Sequence, residues 1–345
     1  MVNVAIIGVG KMGLSHLSIL GAHPHVKLVG VADTSKITLD VLQKYSPFQC
    51  FSDYKKMLDE VKPEAVFVAA PTKYHYSIVQ ELVERNIHVF VEKPFCLNIE
   101  EGGKLVNLVR QKGLVNQVGY HNKFIGTFRE VKEIVANGYL GTIQHFVGES
   151  YGPVVIKRKQ GTWRSKSDEG GGCLLDYASH VIDLINYLVS PIREIKGSLV
   201  KSMYSESVED SVYSLLETEN NISGVLSVNW SDETYRKMST AITIVGSEGK
   251  IISDATEMKV YFKKSDCPNG YSRGWNVKYV TDLTSPVDFY LRGEEYSEQV
   301  DYFIKAIRGE VKNIINTFES AWLTDRVINQ IKTQKKQSYG QNIIR

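Results

Sequence analysis

VNVAIIGVGKMG, residues 2–13, is a nearly continuous apolar run, rich in β-branched residues, that breaks into glycines. Such a run suits a strand buried on both faces of a parallel sheet. KMGLSHLSIL (11–20) then takes a helical period, VKLVGVAD (26–33) reads as a second strand, and SKITLDVLQKY (35–45) as a second helix. At the first strand-to-helix junction, Gly8, Gly10 and Gly13 stand in a GxGxxG spacing that encloses Lys11 and Met12. The first glycine permits a tight turn, the second lets a pyrophosphate approach the backbone, and the third lets helix pack on strand. The helix N-terminus beyond them offers N–H groups to phosphate. Asp33 ends the second strand, 20 residues after Gly13, where an acid accepts hydrogen bonds from a ribose 2′-hydroxyl and repels a 2′-phosphate. The expected cofactor is NAD. Ser35 and Lys36 keep NADP possible, because a hydroxyl and a cation could accommodate a 2′-phosphate if Asp33 turned aside.

PEAVFVAA (63–70), NIHVFVE (86–92) and LVNQVGY (114–120) read as further strands with helical stretches between them. This alternation predicts right-handed βαβ units and an α/β, doubly wound parallel sheet. Ligands of such sheets bind outside the carboxyl ends of the strands. There lie Pro71, Thr72 and His75 of APTKYH (70–75), and Glu92 and Lys93 of EKP (92–94). Pro94 biases Lys93 toward an extended conformation, so that the lysine leaves the strand end toward a nicotinamide. An arbitrary lysine at this place would more simply be a surface residue paired with Glu92.

The second half changes pattern. FREVKEIVANGYLG (128–141) predicts a helix, and TIQHFVGES (142–150), EIKGSLVKSMY (194–204), VEDSVYSLLETE (208–219), ISGVLSVNW (222–230) and the run 239–253 predict strands. Turn signals at 219–221 and at GSEG (246–249) make the sheet antiparallel. CPNGYSRGWN (267–276) reads as a loop, and helices are expected over 294–309 and 318–336. Between these strands stands GGGCLLDYASHVID (170–183), a helix over 174–189 that carries Asp176, His180 and Asp183 at intervals of four and three. Those intervals place three polar side chains on neighbouring positions of one face, where they could act on one substrate. A plainer reading makes Asp176 a first-turn acid favoured by the helix dipole and His180 a satisfied partner. Just upstream, Trp163 and Arg164 offer an aromatic face and a fork of donors of the kind that holds sugar rings.

Composition narrows the classes. Lys+Arg of 41 against Asp+Glu of 39 leaves a charge of +2 without basic clusters, so neither nucleic acid nor membrane surface is an expected partner. Cys50, Cys96, Cys173 and Cys267 are far apart and show no metal or disulfide spacing, so no metal site and a cytoplasmic location with reduced thiols are expected. The N-terminal run lacks a basic region and reads as a strand, not a signal peptide. No stretch approaches the roughly 18 apolar residues of a membrane span.

Taken together, GVGKMG (8–13), Asp33, APTKYH (70–75), EKP (92–94), TWR (162–164) and GGGCLLDYASHVID (170–183) resemble, in order and spacing, the Gfo/Idh/MocA oxidoreductases. The resemblance covers essentially the whole chain. It implies an N-terminal Rossmann domain, placed here at 1–121, and a C-terminal α+β domain at 122–345. That second domain would carry a large, mostly antiparallel open sheet, one face of which commonly forms a subunit interface, hence a homodimer or homotetramer. It further implies a catalytic group of Lys93, Asp176 and His180, acting on a secondary alcohol of a sugar, cyclitol or nucleotide-sugar with NAD(P). Either Lys93 or His180 would take the proton. Tyr120, Asn122, Trp163, Arg164 and Tyr177 are the expected substrate contacts beside them. His121-Asn122-Lys123-Phe124 departs from the family, which often has two arginines before the phenylalanine. Two rival expectations remain: an enzyme that recycles a tightly bound cofactor, and a sensor that binds cofactor and sugar without chemistry.

Overall fold

The first apolar run forms strand β1 (Val2–Ile7), and every segment of the opening alternation folds in turn. These are α1 (Lys11–Ala22), β2 (Val26–Ala32), α2 (Lys36–Tyr45), β3 (Gln49–Phe51), α3 (Tyr54–Val61), β4 (Ala65–Val68), α4 (His75–Glu84), β5 (His88–Val91), α5 (Ile99–Lys112) and β6 (Asn116–Val118). The structure is a computed structural model that describes residues 1–158, 162–284, 286–287, 293–312 and 314–341, with side chains described to residue 334. The six strands pair in parallel in the order β3-β2-β1-β4-β5-β6, the order of a dinucleotide-binding sheet. Both β3 and α3 escape the sequence reading. A three-residue strand is too short to show a period, and α3 buries only Met57 and Leu58.

One face of this sheet carries Phe67 and Phe90, whose rings stack at 4.5 Å. Phe303 of a later helix, Glu294–Ile307, meets both edge-on at 5.4 and 5.9 Å. Truncating a buried phenylalanine of this kind costs about 3–5 kcal/mol. The division of the chain is corrected accordingly. The first compact unit is Met1–His121 together with Pro286–Trp322, and the second is Asn122–Ser285 with Leu323–Arg345. An apolar sheet face that needs a cover, and not continuity in sequence, decides where 286–322 belongs.

The second unit is built from α6 (Gly126–Ala136), β7 (Ile143–Tyr151), α7 (Ser179–Leu188), β8 (Ile192–Lys201), β9 (Ser211–Thr218), β10 (Ser223–Asn229), β11 (Ser239–Gly246), β12 (Gly249–Asp254), β13 (Glu257–Phe262) and β14 (Gly274–Tyr279). These strands form an eight-stranded sheet in the order β14-β13-β12-β11-β7-β10-β9-β8, antiparallel except for the β7–β10 pair. Burial alternates along β11 and β13, so one face is covered. That face belongs to one core with Phe128, Val131, Val181 and Ile185 of α6 and α7. The other face exposes Leu199, Leu215, Trp275, Val277 and Tyr279. Strands β13 and β14 lie beyond the last one expected, and Gly274-Trp275-Asn276, read as loop, opens β14.

Candidate active site

Gly8 has φ of +91°, and a Cβ there would lie 2.8 Å from the backbone of Ala69 and Ala70. A Cβ on Gly13 would lie 1.9 Å from the Gly8 carbonyl oxygen. Both glycines are therefore imposed by the fold. Gly10 differs, because it caps α1 in an extended conformation with no side-chain hydrogen bond, and a Cβ on it would meet nothing within 4 Å. No acid occupies the first turn of α1, so the amide end of Lys11, Met12 and Gly13 keeps its attraction for an anion. Asp33 is fixed beside this loop: Val9 N–H donates to its Oδ2 and Ser35 N–H to its Oδ1, each at 2.7 Å. Ser35 itself caps α2, its hydroxyl accepting from the Thr38 amide. An open cradle at a helix N-terminus with a rigid carboxylate at its side fits the diphosphate and ribose of a dinucleotide.

The strand ends β4 and β5 carry the next group. Pro71 precedes a turn at Thr72–Tyr74, and His75 opens α4. His75 is buried, with Nε2 2.9 Å from the Ala70 carbonyl and Nδ1 3.0 and 3.1 Å from those of Pro94 and Phe95. It joins the loop after β4 to the loop that follows Lys93. Burial pushes its imidazole below the usual range, toward the neutral form, against the pull of these carbonyls. Glu92 is buried rather than on the surface. Its Oε1 meets Nε2 of the buried His16 of α1 at 2.6 Å, and its Oε2 accepts from the Lys93 amide at 3.2 Å. Burial raises the Glu92 carboxyl, but the His16 contact and nearby positive charge outweigh it and hold the group below its ordinary value. Glu92 thus holds the backbone from which Lys93 projects. Tyr120 lies buried after β6, its carbonyl accepting from Asn316 Nδ2 at 2.7 Å.

In the second unit, Leu174–Ala178 is a π-turn, and the α-helix begins only at Ser179. The first turn of the helix expected from the sequence is thus i→i+5 rather than i→i+4, and it carries Asp176; such turns recur at functional sites. Contacts across the turn explain how it is held. Gly172 has φ of +102° and abuts Glu209, which accepts from the Leu174 amide at 3.0 Å and so caps the π-turn. Arg164 Nε donates to Asp176 Oδ2 at 3.0 Å, and its guanidinium stacks 4.6 Å over the Trp163 ring. Trp163, Arg164 and Asp176 are thus linked, through an ion pair and a stacked guanidinium. Arg164 also lines a cleft of about 180 Å³ with Thr162, Ser165 and Ser205.

His180 is 3% exposed, on the first turn of α7. Tyr177 is buried edge-on to Trp230, and its hydroxyl has no partner among the described residues. Burial and then the charge of Asp176 push its phenol far upward, so Tyr177 stays neutral. Cys173 is likewise raised well above the thiol range by burial and by Glu209, which makes it no nucleophile. Asn122 is buried in a turn at His121–Phe124, and its Nδ2 is without a partner among the described residues.

One expectation fails. Asp183 does not join Asp176 and His180 on a substrate-facing surface; its Oδ1 accepts from Lys123 Nζ at 2.8 Å inside the core. The sequence reading also passed over His16 and Glu209. His16 had a signal in its place on the buried side of an apolar helix, whereas Glu209 had none. Among the described residues no group of His, Cys, Asp and Glu is placed to hold a metal ion, and no helix is long and apolar enough to cross a membrane.

Comparison with known proteins identifies the family. Residues 2–120 match the model of the oxidoreductase family with an NAD-binding Rossmann fold, and residues 128–252 match the GFO/IDH/MocA C-terminal domain. The D-glucoside 3-dehydrogenase of Escherichia coli is 26% identical over 67% of this chain and 70% of its own. The NAD(+)-dependent scyllo-inositol 2-dehydrogenase of Bacillus subtilis is 24% identical over 72% of this chain and 73% of its own. Among solved structures, levoglucosan dehydrogenase in complex with NADH and L-sorbose shares the fold, with a TM-score of 0.87 at 21% identity over 97% of both chains. The chain belongs to the Gfo/Idh/MocA family of oxidoreductases with an NAD-binding Rossmann domain.

Proposed function

We propose that this protein is a dehydrogenase that oxidises, reversibly, a secondary alcohol of a sugar, cyclitol or nucleotide-sugar, with NAD preferred over NADP. The observation that carries the reading is the π-turn of Leu174–Ala178, which presents an arginine-oriented carboxylate, Asp176, just before His180. Gly8, Gly10, Gly13 and the amides of Lys11 and Met12 would hold the diphosphate, with Asp33 on the ribose hydroxyls. When bound, the nicotinamide supplies the hydride acceptor. The preference for NAD follows from Asp33, which two backbone amides hold in place, and from Ser35, whose hydroxyl is engaged in a helix cap.

In this mechanism His180 takes the substrate hydroxyl proton, since imidazole titrates near neutrality. Lys93 steadies the developing alkoxide, a place where a cation gains most as charge appears. Asp176 accepts a hydrogen bond from a neighbouring hydroxyl and sustains the protonated imidazole. Tyr120, Asn122, Trp163 and the neutral Tyr177 contact the remaining hydroxyls. The exposed apolar residues of the eight-stranded sheet support self-association into a dimer or tetramer.

The test is formation of reduced nicotinamide by the purified protein across inositols, aldoses, glucosides and nucleotide sugars. NAD and NADP are run in parallel, with Lys93→Met and His180→Ala as controls. Turnover with NAD that both controls lose is the expected result. Lys93→Met retaining activity while His180→Ala is dead assigns the proton to His180. Absence of turnover from protein that binds NADH would refute the reading, and a copurified nucleotide that does not exchange would point to a recycled cofactor.

A further inference from the structure

The proposed catalytic helix is gripped at three places. Leu174 N–H donates to Glu209, Asp176 accepts from Arg164, and Asp183 accepts from Lys123. The last contact is the unusual one. Lys123 and Asp183 side chains are 2% and 1% exposed, so two full charges have been taken from water. Ionic desolvation commonly outweighs the attraction of such a pair, and apolar residues of similar volume often serve stability as well or better. The pair is not optimised either, since Asp183 Oδ2 is buried without a partner among the described residues. Burial pushes the Asp183 carboxyl upward even with Lys123 beside it.

Its position explains its presence better than its energy does. Asp183 lies one helical turn after His180, and Lys123 lies next to Asn122 in the His121–Phe124 turn. Lys123 Nζ also stands 5.4 Å from the ring of Tyr187, one turn further along α7. Lys132 of α6 reaches the same ring at 4.9 Å and donates to the Tyr187 carbonyl at 2.6 Å. A hydrogen-bonded ion pair adds to the apolar packing of α7 a directional constraint that specifies one arrangement.

We propose that Lys123 and Asp183 are positioning residues that lock the register and rotation of α7, and thereby hold His180 and Asn122 for the substrate. The proposal rests on the dehydrogenase reading. It removes Lys123, despite its place in the HNKF stretch, from the groups that recognise substrate.

The test compares Lys123→Met/Asp183→Leu with Lys123→Arg, which keeps the pair. The double variant should melt within about 3 °C of the parent and bind NADH within about twofold. Amides of Ser179–Leu188 should exchange about tenfold faster while those of β9 and β10 do not change. On the substrate found in the polyol panel, kcat should fall by about 100-fold, with KM moving less than about threefold. Lys123→Arg should stay close to the parent in every readout. A double variant that turns over within about threefold of the parent overturns the proposal. So does one that melts far below it, since the pair would then serve stability. If the parent itself shows no turnover, the dehydrogenase reading fails, and unchanged exchange in α7 separately overturns the positioning role.

Discussion

Replacing Gly10 by alanine should separate folding from cofactor binding, because Gly10 is the one glycine of its loop that the chain does not itself require. Its φ and ψ of −66° and −166° are open to any L-residue, and an added Cβ meets nothing within 4 Å. Stability should therefore change little, or rise by about 0.4–1 kcal/mol through the loss of unfolded-chain freedom. The same methyl would fill the cradle at the N-terminus of α1. Keeping one charged acceptor from a backbone N–H forfeits about 1.5–3 kcal/mol, which is roughly a 10- to 150-fold loss of NADH affinity. Gly13→Ala is the contrast, since its Cβ would sit 1.9 Å from the Gly8 oxygen and the loop must move. It should lose more than about 3 kcal/mol of stability. Thermal melts and titration of nicotinamide fluorescence read both variants. A Gly10→Ala protein that binds NADH within about twofold of the parent, or melts as low as Gly13→Ala, would refute the assignment of this loop as the diphosphate cradle.

Other outcomes follow from the same geometry. Glu92 has a folded carboxyl pKa below its ordinary 4.5, so its ionised form stabilises the native state above that value and the gain is lost as the pH falls through the lower folded value. Glu92→Gln should accordingly melt lower at pH 7, with a deficit that closes in acid; a deficit independent of pH would assign the loss to packing. Tyr177→Phe removes a buried hydroxyl without a described partner and should be neutral or stabilising in a melt while raising KM for the substrate. A loss of more than about 2 kcal/mol would show that the hydroxyl has a partner within the fold. Leu215→Lys with Trp275→Glu, on the exposed sheet face, should convert an oligomer to monomer in sedimentation analysis, and an unchanged sedimentation coefficient would place the interface elsewhere.

The division of labour between sequence and tertiary structure is clearest at these same residues. Local pattern alone determined the parallel sheet, because a strand buried on both faces is written as an unbroken apolar run, as in Val2–Ile7. Gly8 and Gly13 were equally legible, since a positive φ at the first and close backbone approach at both admit almost one residue type. Trp163, Arg164 and Asp176 were legible as candidates through their order in the chain, though their mutual contacts were not. Tertiary structure decided what depends on partners distant in sequence. Asp183 and His180 look alike in a helical pattern, and Lys123, 60 residues upstream, draws the former into the core. Glu92 meets His16, 76 residues upstream, only once α1 has packed on the sheet. The π-turn at Leu174–Ala178 depends on Glu209 and Arg164, and the place of 286–322 depends on an apolar face formed by strands far earlier. Periodicity records which side of an element is buried, but a charge finds its partner only once the chain has packed.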